Sequence, residues 1–266
     1  MTRFAFGRNW QSYIGVLSDT RISEAETSLK DRIGAARIAG ATFVDVGSGS
    51  GLFSLAAHRL GASRVHSFDY DPDSVACRVA LRDRYGRPGT TWTIERGSAL
   101  DPEYLSGLGQ FDIVYSWGML HHTGGMWQAL EHVVWRVKPR GLLFIAIYND
   151  QGPLSHGWTL VKRAFNQGPI GRLAVTSTFV AYFVVRGLLA DVVRLRNPTV
   201  RYREYRRTRG MSMRHDWIDW LGGYPFEVAS PEAIFDFYHQ RGFSLEKLKT
   251  CGGRLGCNEL VFARTA

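Results

Sequence analysis

The chain has 266 residues, of which 45% are hydrophobic and 13% aromatic, and this size suits one large domain or one domain with a sizeable insertion. Its three cysteines are too few and too scattered for a disulfide framework and include no C-x-x-C zinc motif, so a reducing cytoplasm is expected. The net charge is +9, but eight arginines and one acid lie between Arg194 and Arg214, which indicates a local anionic contact rather than a uniform nucleic-acid-binding surface.

The first 40 residues are predicted to form a lid followed by a helix. The first ten residues lack the long apolar core of a signal peptide. Segment 4–14 is dense in aromatic residues, among them Trp10 and Tyr13, and it forms either a lid over a ligand or a segment packed passively on the core. Ser23 and the glutamate three residues later resemble a capping box, which predicts a helix from there to about residue 39.

From residue 41 to residue 148, predicted strands and helices alternate. Strands are expected in five apolar runs, at 41–46, 64–70, 91–95, 111–116 and 142–148. Helices are expected between them, at 52–60, from residue 73 or 74 to about 86, and at 126–137, the last being closed by a loop at 138–141. Such alternation is the signature of a parallel sheet with helices on both faces.

The remainder of the chain is predicted to complete this sheet after a long interruption. A helix begins at Ser230 and ends at Gly242, and two strands at 243–250 and 258–264 are expected to pair antiparallel at the sheet edge. Residues 151–229 form an insertion with its own helices. The chain thus divides into a lid and helix at 1–40, a core at 41–150, a helical cap at 151–229, and a closing helix and strand pair at 230–266.

Three glycines at alternate positions, Gly47, Gly49 and Gly51, lie between the first strand and the helix that follows it. Residues without a Cβ atom allow a loop to approach a ligand closely at a helix N-terminus. The dinucleotide fingerprint G-x-G-x-x-G would place its third glycine at position 52, where the chain has Leu52. The spacing therefore disfavours a nicotinamide dinucleotide.

Asp69 ends the second predicted strand, 22 residues after Gly47. A carboxylate at this point faces the crevice at the carboxyl ends of the strands, where it can accept hydrogen bonds from both hydroxyls of a ribose. The alternative is an aspartate that caps a helix or forms a turn, a role that Asp71 and Asp73 fit better. The position favours ribose binding by Asp69.

Five segments, in order, resemble the successive motifs of class I S-adenosylmethionine-dependent methyltransferases. They are FVDVGSGSGLFSLAA, VHSFDYDPDSV, ERGSALD, FDIVYSWGMLHH and VKPRGLLFIAIYND, all within residues 41–150. The resemblance implies an α/β, Rossmann-like, seven-stranded sheet that is mostly parallel, with an antiparallel last strand, to which the helical cap is added. It also implies S-adenosylmethionine as the methyl donor, S-adenosylhomocysteine as its product, and no metal.

The resemblance further implies which residues hold this cofactor. They are, in chain order, Asp45, Gly47, Ser48, Gly49, Gly51, Asp69, Tyr70, Ser98 and Ala99. Asp45 and the glycine loop would hold the methionine part, Asp69 the ribose, and Tyr70 would lie beside the adenine. Ser98 stands where the family often has an acid next to an alanine that contacts the adenine, and Asp101 is the nearby acid that could compensate.

Methyl transfer from a sulfonium chiefly requires that the acceptor be aligned with the methyl group. Aromatic faces attract a cation, and Trp10, Tyr13 and Trp117 are the candidates for a place near the sulfonium. A general base is needed only where the acceptor atom holds its proton at neutral pH, as a hydroxyl does.

Three residues at strand ends are the candidates for catalysis. His121 and His122 follow the fourth strand, where either could remove a proton from an acceptor hydroxyl, and the alternative is that the pair orders its loop. Tyr148 ends the fifth strand beside Asn149 and Asp150 on the same rim. These polar groups contact the acceptor or, alternatively, only form a turn.

The insertion contains an apolar segment followed by the arginines. Segment 173–185 has no charged residue, but its 13 residues fall short of the ~20 that a membrane-spanning helix needs. A helix packed in a cap or dimer contact, or one lying at a membrane interface, is therefore favoured over a span.

The arginines, Arg206 and Arg207 among them, contact an anionic surface or form a solvated helix face. The aromatic residues after them wall an acceptor pocket or belong to the core: Trp217, Trp220, Tyr224 and Phe226.

The sequence thus predicts a methyltransferase that acts on a small or lipid-like molecule in the cytoplasm or at the membrane periphery. Oxygen is the first choice of accepting atom, with carbon and nitrogen as alternatives. Nucleic-acid methylation through the arginine-rich cap is disfavoured, because SWGM stands where N-P-P-[FY] would be expected. A non-catalytic binding module and a nicotinamide oxidoreductase also stay open, and a homodimer could form through the cap.

Overall fold

The computed structural model describes residues 17–87, 91–194, 197 and 213–265. Seven strands form one sheet: β1 (Thr42–Val46), β2 (Arg64–Asp69), β3 (Thr91–Arg96), β4 (Phe111–Trp117), β5 (Val137–Tyr148), β6 (Phe243–Lys249) and β7 (Cys257–Arg264). Their order across the sheet is β3-β2-β1-β4-β5-β7-β6. Strand β7 runs antiparallel to both of its neighbours, β5 and β6, whereas β1 to β5 pair in parallel. The expected seven-stranded sheet with an antiparallel last strand is confirmed.

Helices cover both faces of this sheet. In the described residues they are α1 (Asp19–Arg32), α2 (Ala35–Ile38), α3 (Leu52–Arg59), α4 (Pro72–Tyr85), α5 (Pro102–Leu108), α6 (Met126–Val134), α7 (Pro153–Phe165), α8 (Pro169–Val193), α9 (Met213–Gly222) and α10 (Pro231–His239). The strand order reverses between β1 and β4, and in open α/β sheets the crevice outside the carboxyl ends of such strands binds ligands.

Two apolar layers hold the sheet between its helices. Successive side chains of a strand point to opposite faces, so Phe43 of β1 packs in the layer under α1 and α3, whereas Val44 packs in the layer under α6 and α10. Strand β5 follows the same alternation, with Phe144 on the first face and Ile145 on the second. All four side chains are buried. Because both faces of the sheet are covered in this way, the carboxyl ends of the strands are the part of the sheet that is open to a ligand.

The structure differs from the predicted elements in several places. Helix α1 begins at Asp19, one turn before the expected capping box, because its buried stripe already starts at Ile22 and continues through Leu29. The expected loop at 138–141 belongs to β5, where Arg140 adopts a positive φ of 62°. Helix α5 was not predicted at all, although the Asp-Pro pair that begins it is a recognised helix start.

The described part of the insertion packs as three helices that lie against one another. A three-residue connection joins α7 to α8, which makes the pair a helical hairpin. The fully buried Lys162 of α7 donates to the backbone carbonyl of Trp220 in α9, and its Nζ lies 4.2 Å from the centre of the Trp220 ring. After the insertion, the Glu227 carboxylate accepts hydrogen bonds from the backbone N–H groups of Gly124 and Met126 at 2.9 and 3.1 Å. The returning chain is thereby fixed to the start of α6.

Candidate active site

The three glycines after β1 are required by backbone conformation, and two of them are required by space as well. Gly47, Gly49 and Gly51 have φ angles of +70°, +50° and +80°, a region that other residues rarely adopt. A Cβ atom on Gly47 would lie 2.2 Å from Cγ of Met119, and one on Gly51 would lie 2.6 Å from Cγ of Arg78. The loop therefore follows the surrounding side chains closely and turns its backbone toward the crevice, directly before the N-terminus of α3.

Asp45 lies inside the sheet at the carboxyl end of β1. Its Oδ2 accepts a hydrogen bond of 2.6 Å from the Ser54 hydroxyl of α3, and the side chain is almost fully buried. Burial raises the pKa of Asp45 to about 7, although the bond from Ser54 and the charge of Arg78 act in the opposite direction. A carboxyl group in this condition gains its charge readily when a cation comes to lie beside it.

Asp69 is oriented by backbone groups from two neighbouring loops. Its Oδ2 accepts from the N–H of Gly49 and its Oδ1 from the N–H of Asp71, each at 3.0 Å. Burial raises the pKa of Asp69, while these bonds and Arg78 lower it. The helix cap of α4 is Asp71, which accepts from the N–H of Asp73 at 2.9 Å. Each carboxylate oxygen has a second lone pair, so the Asp69 side chain suits a pair of ribose hydroxyls.

Arg78 is a site residue that the sequence did not reveal. It lies fully buried in α4, donates from Nη1 to the Ser48 hydroxyl at 2.6 Å and from Nη2 to the Glu95 carbonyl at 3.3 Å, and approaches Asp69 at 3.8 Å. Burial lowers the pKa of Arg78, and Asp69 and Asp45 raise it. An arginine on a helix with ordinary spacing gives no sequence signal of such a position.

The residues expected beside an adenine line the same crevice. Tyr70, Ser98 and Ala99 all lie on its wall, with Tyr70 half exposed and stacked under the Arg96 guanidinium at 5.3 Å. The expectation that Asp101 compensates for the missing acid is wrong. Its carboxylate caps α5 by accepting from the first N–H groups of that helix, and it lies exposed and outside the crevice wall.

One cleft of about 1650 Å³ joins the strand ends to the insertion. Asp45, Asp69 and the glycine loop line one part of it, and Trp117 lies half exposed at its rim. Residues of the insertion line the other part: Gln151, Leu154, Trp158, Tyr182, Phe183, Arg186, Trp217, Trp220 and Tyr224. The first part is polar and the second is largely aromatic, so the cleft suits two ligands of different character.

The adjacent histidines have different surroundings. His121 is fully buried outside the cleft wall, and its Nδ1 accepts a 3.3 Å bond from the backbone N–H of Tyr148. His122 lines the cleft, and its Nδ1 lies 2.6 Å from the carbonyl of Pro225. A carbonyl only accepts, so Nδ1 of His122 must donate and the proton of the neutral ring is not on Nε2. Burial lowers the pKa of His122 to about 3, which keeps its ring neutral at pH 7.

Aromatic rings connect this histidine to the insertion. The Tyr148 ring lies edge-on to His122 at 5.5 Å and to Trp220 at 5.7 Å, and Trp220 in turn meets Trp158 at 5.5 Å. Trp217, Trp220 and Tyr224 therefore wall the cleft, as one of the two sequence interpretations had it. Phe226 is buried behind them against Tyr148 and belongs to the core. Trp158 was not predicted, because it lies on a helix whose partners the sequence does not show.

Four residues considered in the sequence analysis lie outside the described residues. Trp10 and Tyr13, expected in a lid, belong to the first 16 residues, and Arg206 and Arg207 to segment 198–212. Apart from Asp101, the other candidate site residues lie around the cleft or directly behind its wall.

Comparisons with known proteins place the core in a family. Residues 44–143 match the family described as Methyltransferase domain. Over 112 residues the chain is 37% identical to the ribosomal protein L11 methyltransferase of Anoxybacillus flavithermus, which covers 37% of this chain and 36% of that protein. Over 120 residues it is 30% identical to a ubiquinone biosynthesis O-methyltransferase of a Methylobacterium species, with 45% and 46% covered. The chain thus spans less than half the length of these curated relatives.

A solved structure is similar over nearly the whole chain. Magnesium protoporphyrin IX methyltransferase from Synechocystis, crystallised with S-adenosylhomocysteine, aligns with a TM-score of 0.54 over 92% of this chain and 83% of its own. The sequence identity is 12%, so this likeness shows the fold alone.

Two glycines with similar φ angles, Gly51 and Gly40, allow the cost of a steric clash to be measured apart from the cost of a strained backbone. Gly51→Ala should destabilise the fold more than Gly40→Ala, by about 1–3 kcal/mol, because a Cβ atom at Gly51 displaces Arg78 whereas one at Gly40 meets nothing within 4 Å. The two glycines have nearly equal φ angles, +80° and +78°. Urea unfolding of both variants measures the difference. Equal losses of unfolding free energy in the two variants would show that Arg78 adapts to a Cβ atom at position 51.

The raised pKa of Asp45 predicts a pH-dependent stability. The folded protein holds a proton that the unfolded chain releases, so the stability from Asp45 is present below about pH 4 and is lost as pH rises to about 7. Relative to Asp45→Asn, the parent should lose about 2–3 kcal/mol of unfolding free energy between pH 5 and pH 7.

Urea unfolding across this range measures the loss, with Asp112→Asn as the control. Burial raises the pKa of Asp112, but hydrogen bonds from Thr42 and Lys138 outweigh this effect and lower it. The contribution of Asp112 is therefore lost only as the solution becomes more acidic than the ordinary aspartate range. A flat difference for Asp45→Asn from pH 5 to pH 7 would contradict the assignment.

Proposed function

We propose that this chain, whose core is a class I S-adenosylmethionine-dependent methyltransferase domain, transfers a methyl group to a hydroxyl of a small or lipid-like acceptor. The observation that carries this proposal is the single cleft in which carboxylates and a glycine loop meet an aromatic pocket across His122. The polar part suits an adenosyl and amino-acid ligand, and the aromatic part suits an apolar acceptor. Neither part alone indicates a transfer reaction.

The residues of the polar part fit S-adenosylmethionine. Glycines of the loop line the cleft, Asp45 is a buried carboxyl with a raised pKa, and Asp69 presents a carboxylate oriented by two N–H groups. Asp45 and the loop would hold the methionine part and Asp69 the ribose. When bound, the cofactor supplies a sulfonium methyl group that is open to direct displacement.

The chain's own groups would orient the acceptor and receive its proton. Tyr148, Trp158 and Trp220 present ring faces and edges that fix an apolar acceptor in one orientation, and alignment is the main requirement of the reaction. His122 would receive the proton through Nε2, because the Pro225 carbonyl holds the ring proton on Nδ1. An oxygen that gains a methyl group becomes acidic enough to release its proton even to a ring with a pKa of about 3. His121 would act as a positioning residue, since it fixes the backbone of Tyr148 from behind the wall.

The histidine at the junction and the aromatic pocket both bear on which atom, oxygen, carbon or nitrogen, accepts the methyl group. A histidine base at the junction is useful for a hydroxyl and unnecessary for an amine that is already unprotonated. One matched relative is an O-methyltransferase and another acts on ribosomal protein L11, so a protein acceptor is the competing candidate. The apolar rings favour the small or lipid-like acceptor, and we place the reaction in the cytoplasm.

Cofactor binding is tested with S-adenosylhomocysteine and Asp69→Ala. The variant should bind the compound about 1–3 kcal/mol more weakly, because the ribose hydroxyls lose their acceptor. Calorimetry measures the affinity, and circular dichroism confirms that the variant is folded, with Asp69→Asn as the milder substitution. Asp101→Ala is the matched control, since this carboxylate caps α5 outside the cleft and its loss should leave the affinity unchanged. Equal affinities in all three folded variants and the parent would remove Asp69 from the site.

The two histidines are tested against each other by transfer of a labelled methyl group to phenols and to extracted lipids. His122→Ala should lower kcat by about 10²–10⁴-fold without altering affinity for S-adenosylhomocysteine. His121→Asn retains an acceptor for the Tyr148 N–H and should lower kcat by less than about tenfold. If both variants fall by the same few-fold amount, the pair only orders its loop.

A further inference from the structure

The longest helix of the insertion exposes its apolar side chains. Helix α8 runs for 25 residues and its most hydrophobic window has a mean hydropathy of 1.7, which is long and apolar enough to cross a membrane. The expectation that this segment is too short for a span is therefore wrong on length. Ile170 is 83% exposed, Leu189 61% and Val192 66%. An exposed apolar surface of this kind usually marks a contact with another molecule or with a membrane.

One face of α8, here called the outer stripe, carries no charge along its length. Its members, all exposed, are Ile170, Leu173, Ala174, Ser177, Thr178, Ala181, Val185, Leu188, Leu189 and Val192. Helical periodicity places them on one side over about 33 Å. The hydroxyl of Ser177 donates back to the Leu173 carbonyl at 2.7 Å, so its polarity is partly satisfied within the helix.

The three charged residues of α8 lie off this stripe. Arg172 lies over the Phe165 ring at 5.2 Å, Arg186 lines the cleft, and Asp191 is buried. A helix face that meets water ordinarily carries charged residues, whereas a stripe from which all three are turned away indicates an apolar surrounding.

The opposite side of α8 packs on the domain. Phe179 meets the Trp158 ring of α7 at 5.4 Å, and Phe183 meets the Trp217 ring of α9 at 5.3 Å. A spanning helix would have to carry α7 and α9 with it into the bilayer, and α7 includes Lys162 and Arg163. The geometry instead suits a helix that lies in the plane of a membrane surface, with its stripe down and its packed side toward the protein.

The charge near α8 selects the kind of membrane. Arg194 is exposed directly after the last turn of the helix, and seven further arginines follow in the sequence by residue 214, with Glu204 as the one acid among them. Basic residues next to an apolar helix attract anionic lipids, each contributing about 1 kcal/mol near the surface. A second copy of this strongly basic chain lacks that complementarity.

We infer that α8 docks this protein on an anionic lipid bilayer through the outer stripe and that the acceptor is an amphiphile drawn from that bilayer. The acceptor part of this inference rests on the proposed function. Tyr182, Phe183 and Arg186 belong both to α8 and to the wall of the cleft. A lipid-like molecule leaving the bilayer beside α8 therefore meets Arg186 and the aromatic pocket on its way to His122.

Sedimentation of the full chain with vesicles tests the docking. The parent should bind phosphatidylglycerol-rich vesicles, bind pure phosphatidylcholine vesicles more weakly, and be released by high salt and by alkaline carbonate. Leu189→Asp should reduce binding to anionic vesicles by about tenfold or more, because a leucine that the bilayer would bury is lost and a repelled charge is gained. Leu248→Asp is the matched control, since this leucine is 47% exposed on β6, outside the insertion, and its loss should leave vesicle binding unchanged.

Three results would overturn docking on a bilayer surface. They are a parent that does not sediment with either vesicle, a Leu189→Asp variant that binds like the parent, and resistance to carbonate, which would indicate a span. Light scattering that shows a dimer broken by Leu189→Asp, without any vesicle binding, would assign the stripe to a second copy. Calorimetry with S-adenosylhomocysteine separates this outcome from failure of the proposed function, because the cofactor residues lie away from the stripe.

Discussion

The candidate site depends on a guanidinium buried beneath its glycine loop. Arg78 contacts Ser48 in the loop after β1, the Glu95 carbonyl in β3 and the neighbourhood of Asp69 after β2, so one side chain joins three strand ends. A buried charge is costly unless it is paired and hydrogen-bonded, and here the carboxylates of Asp45 and Asp69 provide the opposing charge. Gly51 leaves the space that this arginine occupies.

In this arrangement the polar part of the cleft contains more carboxyl groups than positive charges. Two carboxyl groups lie buried with one guanidinium, and burial raises the pKa of both Asp45 and Asp69. A ligand that brings a cation next to Asp45 and hydroxyl groups next to Asp69 restores what burial has removed. The electrostatics thus favour a zwitterionic nucleoside ligand over a dinucleotide, whose phosphates would face these carboxylates. The same reasoning agrees with the glycine spacing and with Leu52 in place of a third fingerprint glycine.

The insertion gives the other half of the cleft a different chemistry. Lys162 fixes α7 to α9 from within, and the rings around it present a rigid apolar wall rather than a charged one. The helix between them in the chain, α8, has one side in this wall and the other side exposed. A domain that exposes an apolar stripe of this length is prone to association in water unless the stripe is covered. The aromatic part of the cleft and the exposed stripe are therefore two faces of one element, so the proposed acceptor and the proposed membrane surface depend on the same helix.

The sequence by itself determined the features that depend on local spacing. Alternating apolar runs set the strands, glycines at alternate positions set the loop, and an aspartate at the end of β2 set the place of a carboxylate in the crevice, because each follows from backbone geometry within a few residues. Only the tertiary structure decided which of two neighbouring histidines reaches the cleft, that Asp101 caps a helix, and that Arg78 lies under the loop. It also decided which side of α8 is covered. These outcomes depend on contacts between segments distant in the chain, and the local spacing of residues does not show which distant segment packs against them.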